Sequence, residues 1–303
     1  MSNEHEQPLG AKTALVTIVG RPSAGKSTFL NTASGEPISI VSSIPQTTRN
    51  AIRGIVNTSL GQLVFVDTPG LHNSEKKLNL AFKNIALTQM RESDCVLYII
   101  DATREPGKEE SMIAALLAGY QQKLVIAINK CDDTAAQPQK VQAFVAEHLD
   151  SVPAERVLTM SAKKDRGIDD VLRALYALSP EAPHLYPEEY YTDQEVDFRI
   201  AEIIREQAIN RLEEEIPHAV YVDIADMEWR KNGKELWVRA FLCVERESQK
   251  GIVIGKGASM IKSIRIESIK ALRRIFDYRI DLDLQVKVDK NWRQKDKVIA
   301  RYR

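Results

Sequence analysis

At 303 residues the chain is long for a single core, and its 44% hydrophobic and 28% charged residues suit a folded protein rather than a disordered one. Its 42 Lys/Arg balance 42 Asp/Glu, yet residues 182–249 hold eight basic against sixteen acidic side chains and residues 250–303 hold fifteen against six, so the chain ends in a basic block. Cys95, Cys131 and Cys243 lack metal-ligand or redox spacing, and no window resembles a signal peptide or a membrane span, which argues against a disulfide framework and an integral membrane protein and points to the cytoplasm.

Along the chain, the apolar runs TALVTIV, AIRGIVN, QLVFVD, CVLYIID, KLVIAIN and RVLTMS alternate with helical patterns that start after Lys26, Lys77, Lys108, Pro138 and Gly167. Near-continuous apolarity suits strands buried on both faces, so the pattern predicts an α/β domain over residues 11–180 with a mostly parallel sheet and flanking helices. Three prolines in SPEAPHLYPEEYYTDQE break the periodicity and mark residues 181–193 as a linker. Residues 194–303 form a second, α+β domain. It begins with an amphipathic helix over residues 194–215 and continues with strands over 219–227 and 235–244, joined at Asn232-Gly233. A short segment to Ile254, a glycine-bearing turn, a basic helix over 258–276 and a strand over 280–288 complete it.

The chemistry begins directly after the first strand, where Gly20-Arg21-Pro22-Ser23-Ala24-Gly25-Lys26-Ser27 opens a helix. Glycines let such a loop wrap phosphates, its amides and the helix N-terminus stabilise their charge, and Lys26 reaches the outer phosphates. Ser23, Ala24 and Thr28 belong to the same cradle, and Ser27 is the expected Mg²⁺ ligand. Asp67-Thr68-Pro69-Gly70 ends the third strand, which places Asp67 to hold Mg²⁺ through water and the Gly70 amide to sense a terminal phosphate. Asn129-Lys130-Cys131-Asp132 ends another strand, where a buried Asp132 carboxylate can accept both the ring N–H and the exocyclic amine of guanine, a pair that adenine lacks and whose absence leaves the carboxylate unpaired at a cost. Lys130 is expected over the base and Asn129 as a tie to the phosphate loop. Ser161-Ala162-Lys163 adds a backbone amide for the guanine oxygen.

In this order the four motifs resemble those of the translation-factor-related GTPases, and over nearly the whole chain the sequence resembles the Era family within that group. The resemblance implies GTP and GDP as ligands, Mg²⁺ as cofactor, and catalytic roles for Lys26, Thr48 and Gly70. It makes Pro45-Gln46-Thr47-Thr48-Arg49 a switch segment in which Thr48 completes the metal shell beside Thr47. Where Ras-like proteins carry a catalytic glutamine this chain has Leu71, then His72, so slow hydrolysis is expected, raised by a partner or a cation. Relatives often carry asparagine, implicated in potassium coordination, where Ser23 stands here, so the resemblance does not carry potassium over with magnesium.

Residues 250–262, KGIVIGKGASMIK, resemble the KH signature, and the element order resembles its type II arrangement. The resemblance implies a clamp on single-stranded RNA built from Lys250, Ile254, Gly255, Lys256, Gly257, Ala258, Lys262 and Arg265, with Lys270, Arg273 and Arg274 as further cations. Ala258 stands where the family's G-x-x-G loop has its second glycine, and alanine disfavours the positive φ such a turn needs. The implied partners are small-subunit ribosomal RNA near its 3′ end and the small ribosomal subunit, met by a monomer. Two alternatives stay open: an RNA-binding module with structural GTP, and a GTPase whose basic block sits peripherally on anionic lipid at the inner face of the cell membrane. Asn291-Trp292-Arg293 is expected to pack as a lid rather than to stack on bases.

Overall fold

The computed structural model describes residues 11–42, 44, 47–71 and 77–295. Their contacts group them into two units, one of residues 11–39, 48–71 and 77–193 and one of residues 40–42, 44, 47 and 194–295.

The first unit holds β1 (Lys12–Val19), α1 (Lys26–Ser34), β2 (Ile52–Thr58), β3 (Gly61–Asp67), α2 (Lys77–Glu92), β4 (Cys95–Asp101), α3 (Lys108–Leu117), β5 (Leu124–Asn129), α4 (Pro138–His148), β6 (Val157–Thr159) and α5 (Ile168–Leu178). The strands form one sheet in the order β2-β3-β1-β4-β5-β6, parallel throughout except for the antiparallel β2–β3 hairpin. Every residue of β3, β4 and β5 is buried, as expected for strands covered on both faces by helices. α5 shows why these sequences become helices. Ile168, Val171, Leu172, Leu175 and Tyr176 form one buried stripe, and Asp169 and Asp170 in its first turn favour the positive end of the helix dipole. Because β1, β3, β4 and β5 run the same way, the residues at their carboxyl ends meet at one edge of the sheet. Residues 181–193 lie along the β2–β3 hairpin, where Gln62 Nε2 donates to the Tyr186 carbonyl at 2.8 Å and the Ile55 amide to the Tyr191 carbonyl at 2.9 Å.

The second unit holds α6 (Val196–Ile209), α7 (Ile216–Ala219), β7 (Tyr221–Arg230), β8 (Glu235–Val244), α8 (Glu247–Ile254), α9 (Ser259–Ile275) and β9 (Arg279–Val288). β7 and β8 are antiparallel, and β9 joins the other side of β8 in parallel. Leu236, Val238, Ala240, Leu242 and Val244 alternate along β8 and pack with Ile200, Ile204, Val253, Ile264 and Leu272 of the helices. Two expectations are corrected. The first helix stops at Ile209 rather than Glu215, because Glu213, Glu214 and Glu215 would put three carboxylates at its negative end, and Glu214 instead adopts φ 54°. The hairpin loop is longer than an Asn-Gly pair: β7 runs to Arg230 and Lys231, Asn232 and Gly233 all take positive φ. Trp292 is fully buried, donating from Nε1 to the Ala219 carbonyl at 2.8 Å with its ring 5.0 Å from that of Tyr221.

Candidate functional site

The loop after β1 is shaped by close approach. Gly25 caps α1 at φ 99°, and a Cβ there would lie 2.2 Å from Asn129 Nδ2, so only glycine fits. Ala24 is buried, Gly20, Ser23 and Thr28 flank the same turn, and α1 follows it directly with no side-chain cap on its first amides, which a helix leaves without internal partners. Lys26 is buried, and its Nζ donates to the carbonyls of Gly20 and Arg21 at 3.2 and 3.0 Å. Burial lowers its ammonium to about 8, against the opposing pull of Asp67. A polyanion in the loop would restore that charge.

Asp67, at the end of β3, is fully buried. Its Oδ2 accepts from Ser27 Oγ at 2.7 Å, Ser39 Oγ at 2.9 Å and Thr48 Oγ1 at 3.3 Å, while its Oδ1 has no hydrogen-bond partner among the described residues. Burial pushes this carboxyl up, with Lys26 and the three hydroxyls pulling it back. An orphaned carboxylate oxygen beside two hydroxyls that lie 3.1 Å apart is an oxygen-only donor set, which suits a hard cation such as Mg²⁺. Lys26 and Asp67 offset each other only in part, and a metal-bound phosphate would bring a further anion to the one and a cation to the other. Gly70 packs on the loop so tightly that a Cβ would sit 2.7 Å from the Pro22 nitrogen. Leu71 is in the core, with its amide donating to the Gly20 carbonyl at 3.1 Å, and its apolar side chain has no group that could hold a water. His72, Pro45 and Gln46 lie outside the described residues.

The base end is organised by Asn129 at the end of β5. Its Nδ2 donates to the Ala24 carbonyl and its Oδ1 accepts from the Ala162 amide, both at 2.9 Å. The Ala162 amide is therefore engaged within the protein. Lys130 takes φ 65°, and its Nζ donates to Asp101 Oδ2 at 2.7 Å. Asp132 is exposed rather than buried, and the Ser161 hydroxyl, 2.6 Å from its Oδ1, holds the carboxyl below its ordinary range and so ionised. The burial that penalises a wrong base must therefore come with the base itself. Lys163 lies in the short 3₁₀ turn that follows. Ser39 and Asp101 are absent from the sequence reading. Asp101 does end a buried strand at the same edge as Asp67 and Asn129, a signal that was available.

In the second unit α8 and α9 meet at the turn Gly255–Ala258. Gly255, Gly257 and Ala258 have φ 74°, 57° and 60°, so alanine does occupy the left-handed region here. Lys256, Gly257, Ala258 and Lys262 are exposed, while Lys250 and Ile254 are half-buried. Val253 is in the core, and Ile252 is the exposed apolar residue beside the turn, 56% accessible. Arg265 does not point outward as a free cation: its Nε donates to the Leu282 carbonyl at 2.5 Å and its Nη2 lies 3.7 Å from Asp281. It braces α9 on β9.

Two families match the chain: "50S ribosome-binding GTPase" over residues 15–130 and "KH domain" over residues 215–293. The chain is 60% identical to GTPase Era of Treponema denticola over 289 residues, covering 95% of this chain and 98% of that protein. It is 42% identical to GTPase Era of Borreliella afzelii over 290 residues, covering 96% and 99%. An Aquifex aeolicus Era variant bound to GDP and AlF4⁻ superposes with a TM-score of 0.89 at 29% identity, covering 95% and 98%. A structure of Era in complex with MgGDPNP and nucleotides 1506–1542 of 16S ribosomal RNA superposes with a TM-score of 0.90 at 28% identity, covering 96% and 98%.

Proposed function

The chain belongs to the Era family of GTPases, and from that premise we propose that it is a Mg²⁺-dependent, slowly hydrolysing GTPase that binds the 3′ end of small-subunit ribosomal RNA and acts in small-subunit assembly. The observation that carries the nucleotide half is the single bonded edge in which Asn129 joins the phosphate loop to the loops at the base end. Lys26 and the amides of the loop bind the phosphates, Ser27, Thr48 and Asp67 hold the metal, and Asp132 reads guanine. The metal, when bound, neutralises charge developing on the phosphates. Leu71 orients no water, so the intrinsic rate is low and a partner raises it.

The RNA half is supported by the Gly255–Ala258 turn, with exposed Ile252, Lys256 and Lys262 beside it. The turn clamps the sugar–phosphate backbone, Ile252 and Ile254 contact unstacked bases, and Lys250, Lys256 and Lys262 meet phosphates. The test is binding of labelled RNA matching the 3′ end of 16S ribosomal RNA, with GTP analogue and with GDP, across a salt series. Sequence-selective binding favoured by the GTP analogue is expected. Weak binding with one salt slope for every RNA would leave the second unit a generic basic surface.

A further inference from the structure

The phosphate loop has a second anchor that none of its motifs names. Lys26 rests on the Arg21 carbonyl at 3.0 Å, and the Ala24 amide donates to the same oxygen at 3.3 Å, so the Arg21 peptide sets where both groups stand. The Arg21 side chain runs the other way, into the protein. Its Nε is 2.8 Å from Oε1 of Glu110 in the first turn of α3, with side-chain exposures of 10% and 0%. Tyr98 on β4 lies close enough to feel both charges. Its hydroxyl, Arg21 Nε and Nη2 and both carboxylate oxygens of Glu110 are buried without a hydrogen-bond partner among the described residues, so Arg21 and Glu110 meet as a close ion pair and not through an aligned hydrogen bond.

A pair like this is a poor way to hold a helix to a sheet. Taking both charges out of water is expensive, and an apolar pair of like volume often packs as well or better. A charge pair does one thing an apolar pair does not: it draws the guanidinium to one place, and with it the peptide that carries the arginine.

We propose that Glu110 is a positioning residue for nucleotide binding, acting through Arg21 to fix the carbonyl on which Lys26 stands and so the loop that receives the phosphates. The inference rests on the guanine-nucleotide reading above.

The test is titration of the full chain with a fluorescent GDP analogue, alongside thermal unfolding without nucleotide, for wild type, Glu110→Gln and the double variant Arg21→Met/Glu110→Met. Glu110→Gln is expected to raise the Kd about tenfold, because the amide keeps the volume but loses the charge that attracts Arg21. Preference for guanine over adenine should not change, because Asp132 is untouched. The double variant is expected to regain the wild-type Tm while keeping the raised Kd, which a purely structural pair would not do. Wild-type affinity in Glu110→Gln, or recovery of affinity together with Tm in the double variant, would overturn the inference. Failure of the wild type to bind the analogue would instead overturn the nucleotide reading.

Discussion

Asn129 Nδ2 donates to the Ala24 carbonyl at 2.9 Å, so the asparagine of the base-recognition motif is also part of the phosphate loop's framework. Its Oδ1 takes the Ala162 amide at the same distance, and one carboxamide links three segments remote in sequence. Asn129→Ala strands a buried carbonyl and a buried amide, each costing about 1–3 kcal/mol if left unpaired. The expected outcome is a GDP affinity weaker by roughly 100-fold, with a lowered Tm, read by titration and thermal unfolding. A Tm loss without an affinity loss would show the three loops to be independent.

Asp132 is exposed, ionised and held by the Ser161 hydroxyl at 2.6 Å. As a carboxylate it offers only acceptors, which match the two N–H donors of guanine. Asp132→Asn replaces one acceptor with a donor and suits xanthine, which has an oxygen where guanine has the amine. GTP affinity should fall roughly 100-fold and XTP affinity rise above it, measured by competition titration. A variant that still prefers GTP would mean that the base is chosen elsewhere.

Much of this edge was legible because it rests on local rules. Buried strands that end in Asp67 and Asn129 announce themselves by apolar runs, and the glycine loop by its place between β1 and α1. Ser39, which donates to Asp67, carries no motif, since its role exists only once distant segments meet, and Asp101, which holds Lys130, shows in the sequence only as the end of a buried strand. The pairing of Arg21 with Glu110 has the same origin. Helical periodicity also overran Ile209, because the apolar pattern takes no account of three glutamates meeting the helix dipole. Arg265 entered the RNA clamp through the KH resemblance, whereas its partner carbonyl on Leu282 belongs to a strand 17 residues away in sequence.

Ala258 sits at φ 60°, ψ 26° and is exposed, so its side chain gains nothing from packing to offset the left-handed backbone. That conformation costs an alanine about 1–2 kcal/mol relative to a right-handed one, and glycine avoids it at a smaller entropic cost in the unfolded chain. Ala258→Gly should stabilise the second unit by roughly 0.5–1 kcal/mol and leave RNA affinity equal or tighter, since it opens the backbone to contact. Urea unfolding and RNA anisotropy check both parts. An unchanged midpoint would mean that neighbouring residues already relieve the strain.

Glu110 makes stability and nucleotide binding respond to pH in opposite directions. Burial, with smaller contributions from Glu109 on its own helix and Asp101 on β4, pushes its carboxyl from 4.5 up to about 7, against the pull of Arg21 from the phosphate loop. Between those two values the folded chain holds a proton that the unfolded chain has released. Stability therefore falls as pH rises through the window. Unfolding in urea at pH 5 and pH 7.5 should show this loss for wild type relative to Glu110→Gln, whose amide does not titrate. Nucleotide affinity should move the other way, because only the ionised carboxylate grips Arg21. Relative to Glu110→Gln, wild-type GDP affinity should rise between pH 6 and pH 8, and the variant comparison cancels the titration of the nucleotide's own phosphate. Parallel pH profiles for the two proteins would mean that Glu110 keeps its proton throughout, and that the phosphate loop is set without its charge.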